Sequence, residues 1–103
     1  MEIFQVARNA IDRTTFENGL REQGYGEVVD RRMQPGQVNG THAHEFDARL
    51  LVLEGALTIA SEGGERTYLA GEVFEMPAGR RHSEIAGPDG ARYIAGRRYQ
   101  SGS

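Results

Sequence analysis

Two different periodicities divide this chain. Over Thr14–Gly24 the apolar residues Phe16 and Leu20 stand four apart among polar neighbours, the spacing of one helix face. A short helix is expected there, with Thr14 or Thr15 as N-cap and Gly24 just past its end, lying as a lid over a sheet. Gly19 weakens that helix from within. From Glu27 onward the texture changes to short runs separated by turn signals: Pro35-Gly36, Asn39-Gly40, Glu54-Gly55, Gly63-Gly64, Ala70-Gly71, Pro77-Ala78-Gly79 and Gly87-Pro88-Asp89-Gly90. Strands are predicted at 28–33, 41–44, 49–53, 56–60, 66–69, 73–76, 82–86 and 91–96. Leu57 and Ile59 alternate with Thr58, giving one buried face, whereas Leu50–Leu53 is apolar throughout and reads as a central strand covered on both sides. Such a row of short strands is the pattern of an all-β sandwich or barrel. The expected organisation is one domain: an N-terminal extension with the short helix at 1–26, the β region at 27–98, and a flexible tail at 99–103.

Composition narrows the chemistry. The chain has 103 residues, a net charge of −3, no cysteine, and 12 basic residues that are all arginine. The absence of cysteine excludes disulfides, thiolate nucleophiles and zinc fingers, and the absence of lysine excludes Schiff-base chemistry and a phosphate-loop lysine. The arginines come as scattered pairs in an acidic chain, which argues against nucleic-acid binding. The longest apolar run is four residues, too short for a membrane span, and the first residues do not form a signal peptide; a cytoplasmic protein is expected.

The strongest chemical signal is the set of three histidines. In a strand, His42 and His44 project from one face, and their spacing lets both reach one ion. Only folding can bring His82 beside them. These residues also lie in two larger motifs. Gly36 is followed by five residues and then His42-Ala43-His44, with Gly55 downstream; Gly71 is followed by five residues, Pro77-Ala78-Gly79, two residues and His82. In order and spacing, the pair resembles the motifs of the cupin family, small jelly-roll β-barrels that usually carry one metal in the barrel mouth. The resemblance implies a metal held by His42, His44 and His82, and commonly a homodimer. It departs from the family pattern where the first motif carries a glutamate: that position falls on Ala48 or Arg49. Asp47 is the substitute candidate for a carboxylate ligand, while Glu45 has the wrong strand parity.

A shell of three neutral imidazoles would favour zinc, nickel or copper over manganese or iron, and would leave coordination positions open to water or substrate. Arg49, Met33, Tyr68 and Tyr93 are candidates for binding a small molecule, Arg49 by gripping a carboxylate bidentately. Glu72, Glu75 and Glu84 read as charge on the outer face. Two functions follow: a metal-dependent enzyme acting on a small organic substrate by oxygenation, isomerisation, lyase chemistry or hydrolysis, or a non-catalytic small-ligand or sensor module, with or without metal.

Overall fold

The structure, a computed structural model, describes residues 11–99. It contains one helix, α1 (Arg13–Glu22), and six strands: β1 (Glu27–Met33), β2 (Val38–His42), β3 (Phe46–Ser61), β4 (Gly64–Leu69), β5 (Val73–Met76) and β6 (His82–Tyr99). The N-cap is Asp12, whose carboxylate accepts from the Thr15 amide at 2.8 Å, so the cap lies two or three residues earlier than the threonines suggested. Gly24 occupies the left-handed position after the helix, where it was expected.

Two long antiparallel strands form the spine. β3 and β6 pair from Phe46↔Tyr99 to Ser61↔His82, and the register shifts around Gly55. There the four residues Gly87–Gly90 drop out of the ladder between Ala86 and Ala91. The turn signals at Glu54-Gly55 and Gly87-Pro88-Asp89-Gly90 therefore mark a bulge in continuous strands and not the ends of four separate ones. Glycine is required on both sides of this crossing. Gly55 has φ +76° and a side chain on it would collide with the Gly90 carbonyl; Gly90 has φ +83° and a Cβ would lie 2.7 Å from the Met33 carbonyl oxygen.

The bend divides the sheet into two halves. In one, the order is β1, the last part of β6, the first part of β3, then β5; in the other it is β2, the first part of β6, the last part of β3, then β4. The halves close on a shared core: Ala48, Leu50, Val52, Phe74, Met76 and Ala95 from the first meet Leu57, Ile59 and Ala86 from the second. This is an antiparallel jelly roll, with sheet edges at β1 and β5 in one half and at β2 and β4 in the other among the described residues.

A second core lies on the outside of the first half. Phe16 and Leu20 of α1 pack with Tyr25 on Leu51 and Ile94. Burying each of these large apolar side chains is worth about 1.5–3 kcal/mol. The run Leu50–Leu53 is apolar throughout because alternate residues feed the two cores: Leu50 and Val52 face the interior, Leu51 and Leu53 face the helix. Among the described residues, no helix is long and apolar enough to cross a membrane.

Candidate metal centre

The three histidines converge at the open end of the jelly roll. Ring centroids lie 4.5 Å apart for His42–His82, 4.8 Å for His42–His44 and 5.2 Å for His44–His82. A bulge in β2 makes this possible. Asn39 pairs with Glu84 and His42 with His82, so three steps on β2 match two on β6. The extra residue reverses strand parity, and Asn39 and His42 both face the interior although they are three apart. β2 ends at His42, and His44 follows in the connection to β3, short of the predicted strand at 41–44. Its carbonyl accepts from the Gly79 amide at 2.9 Å, which ties it to the turn that delivers His82.

Glu84 completes the cluster. It lies two residues after His82 on β6, so both side chains project to the same face. One donor atom from each of His42, His44, His82 and Glu84 lies within 4.8 Å of the others. His82 and Glu84 are buried, at 2% and 8% exposure, so the assignment of Glu84 to the outer face is corrected; Glu72 and Glu75 are exposed as expected. Strand parity from His82 was the signal that could have identified it.

Backbone and side-chain contacts orient these donors. Nδ1 of His42 lies 2.6 Å from the Gly40 carbonyl oxygen, and Nδ1 of His82 lies 3.0 Å from that of Arg80. A carbonyl only accepts, so each Nδ1 carries the proton and a neutral ring turns its Nε2 lone pair inward. Nε2 of His82 then stands 3.2 Å, and Nε2 of His42 3.7 Å, from Glu84 Oε2. Lone pairs that face each other in this way are satisfied by a cation between them, a metal ion or a proton, and this donor set fits a divalent transition metal. The other Glu84 oxygen accepts from Asn39 at 2.9 Å; Asn39 in turn accepts from Gln37 at 3.3 Å, and the Gln34 amide donates to Gln37 at 2.9 Å. Such second contacts fix the direction of a ligand carboxylate. Burial, followed by the nearby His42 and His82, holds the His44 pKa below the ordinary histidine value, which favours the neutral ring that a metal needs.

The remaining candidates separate clearly. Asp47 lies away from the donor cluster: its carboxylate accepts from the Ala78 amide at 2.9 Å and from Arg98 at 3.3 Å, bracing the Pro77-Ala78-Gly79 turn. Ala48, at the position of the family glutamate, is buried and lines the cavity next to the histidines. Tyr93 lines the same cavity, and burial raises its pKa above the ordinary tyrosine value. Arg49 points to the opposite side of β3 from Ala48 and Leu50, pairing with Glu75, so it cannot grip a ligand in the cup. Met33 is buried in the main core, and Tyr68 stacks on Phe74 with ring centroids 4.0 Å apart; neither lines this cavity. The cavity holds about 160 Å³, and Arg31 and Arg97 also line it, neither of which was singled out from the sequence.

Comparison with known proteins agrees with this architecture. The cupin domain model matches residues 29–94. No curated protein matches the chain. Among solved structures, a protein of unknown function from Rhizobium leguminosarum bv. viciae is similar at 27% identity and a TM-score of 0.67, over 71% of this chain and 69% of that one. KdgF from a Halomonas species is similar at 26% identity and a TM-score of 0.60, over 72% and 69% of the two chains. An RmlC-like cupin from Shewanella frigidimarina shares the fold at 23% identity and a TM-score of 0.63, over 72% and 66%. With the family model spanning most of the β region and the two histidine motifs meeting in the mouth of the jelly roll, this chain belongs to the cupin family.

Proposed function

We propose that this cupin binds one divalent transition metal through His42, His44 and His82, with Glu84 as the carboxylate ligand, and that the adjoining cavity takes a small organic molecule. The observation that carries the reading is the convergence of three imidazoles and one buried carboxylate, with donor atoms within 4.8 Å, in the lining of a cavity. Glu84 changes the expected metal preference. A carboxylate on β6 compensates for the one missing from β3, so the shell regains a negative charge and a hard oxygen donor, and the bias against manganese and iron is lifted. When bound, such an ion would supply a Lewis acid, and an ion that takes more than four ligands would keep positions open to a small molecule. The protein's part is to favour the neutral His44 ring, to aim His42 and His82 through the Gly40 and Arg80 carbonyls, to orient Glu84 through Asn39, and to wall the cavity with apolar side chains such as Phe46, Leu50 and Ile59.

The test is a titration of the metal-stripped chain with Zn²⁺ and Mn²⁺. One tightly held ion per chain is expected, lost in His82→Ala, weakened in Glu84→Gln and retained in Asp47→Asn. Failure of both ions to bind the unsubstituted chain overturns the reading, and the His82–Glu84 contact is then a shared proton inside a ligand-binding module. The same reading includes a homodimer formed through the β1 edge, where Val28 is exposed; a solution mass equal to one chain contradicts that part.

A further inference from the structure

We infer that the space facing Arg97, left open by Ala48, seats the carboxylate of a small anionic ligand. Arg97 and Ala48 are directly paired across β6 and β3, and both line the cavity. Side chains so paired share a face and lie within contact reach. At residue 48 a methyl group stands where the family motif carries a carboxylate, so the guanidinium faces a vacancy on its own level of the sheet. Among the described residues its ion-pair partner is Glu27, at 3.9 Å and without a hydrogen bond, which leaves the donors of the fork for a ligand. The Arg97 guanidinium is held in place from one side, lying over the Phe46 ring at 4.7 Å from its centroid, and Phe46 stacks on His44 at 4.6 Å. Arg97 is therefore built into the wall that ends at the metal ligands, and its side chain is only 23% exposed.

A second cation stands nearby. Val29 and Arg31 of β1 share a face and pair with Ala95 and Tyr93 of β6, and all four line the cavity. Arg31 makes no ion pair among the described residues. Two arginines on one wall, with apolar side chains such as Phe46, Leu50 and Ile59 between them and the His–Glu cluster, select a molecule with an anionic head and a short apolar body. A cavity of about 160 Å³ accommodates a body of a few carbon atoms. The inference deepens the proposed function, since it names the ligand class of the same cavity, but it rests on Arg97 and Ala48 and not on the metal ligands.

The experiment compares butanoate with its neutral isostere butanamide by calorimetry, on the full chain with and without Zn²⁺. Butanoate is expected to bind at least about tenfold more tightly than butanamide. Arg97→Gln should erase that preference in a chain that still takes up one Zn²⁺, and Ala48→Glu should block butanoate by supplying the carboxylate from the protein. Equal affinity for the two probes, absence of butanoate binding, or a preference that survives Arg97→Gln would each overturn the inference; in the last case the metal alone attracts the anion. Failure of Zn²⁺ to bind, with the Arg97-dependent preference intact in the metal-free chain, would sink the metal reading and leave this one standing.

Discussion

The two faces of the first half-sheet are built from the same strands to opposite ends. Beneath α1, Leu51 and Ile94 are almost fully excluded from water and meet Phe16 and Leu20 in a wholly apolar contact. On the other face, Ala48, Leu50, Tyr93 and Ala95 border a cavity and the His–Glu cluster. One face fills its volume; the other leaves volume open and buries polar groups that are stable only with partners. Alternation along β3 and β6 lets one ladder support both, so stability and chemistry should respond separately to substitution.

The largest effect expected from breaking this division is on the helix side. Leu20→Ala should cost about 3 kcal/mol in denaturant unfolding and leave metal affinity unchanged for the folded fraction. Gly96 lies in the same contact, where a Cβ would approach Leu20 Cδ2 to 2.7 Å, so Gly96→Ala should also destabilise the fold, by about 1–3 kcal/mol. On the cup side the effects should reverse. Asn39→Ala removes the hydrogen bond that aims Glu84 and should weaken metal binding by about tenfold in a competition titration with a chelator, with little change in the unfolding midpoint.

Acid should also act through the cup. His44 has a lowered pKa, so the folded metal-free chain binds its proton less readily than the unfolded chain. Its contribution is complete above the unfolded histidine pKa of about 6.5 and is lost as pH falls through that value toward the lower folded one. Urea midpoints measured between pH 7.5 and 5 should therefore fall, and fall less in His44→Gln. The smallest effect belongs to the surface. Arg92 donates to Asp30 at 2.8 and 3.2 Å and holds its carboxyl below the usual range, yet the pair is solvated, and Asp30→Asn should leave the unfolding midpoint near that of the unsubstituted chain.

What the sequence made legible follows the same division. The apolar run at Leu50–Leu53 announced a strand covered twice, and the spacing of Phe16 and Leu20 announced its cover. The histidine spacings located the cup. The turn chemistry at Gly87-Pro88-Asp89-Gly90 was ambiguous because the residues that reverse a chain also relax a bulge, so two continuous strands read as four. Arg49 could not be assigned a face beside a run apolar on both sides, and Asp47 proved to brace a turn, a common use of a short carboxylate. Glu84 was missed although His82-Ser83-Glu84 has the same spacing as His42-Ala43-His44; a carboxylate two residues along a strand from a ligand histidine shares its face.

The most direct test of the centre is an anomalous-difference map of crystals of the metal-loaded chain. A single ion is expected about 2.0–2.2 Å from Nε2 of His42, Nε2 of His82, a ring nitrogen of His44 and a carboxylate oxygen of Glu84. An ion bound by Asp47, an ion outside the cup, or no ion in crystals grown with saturating metal would contradict the assignment.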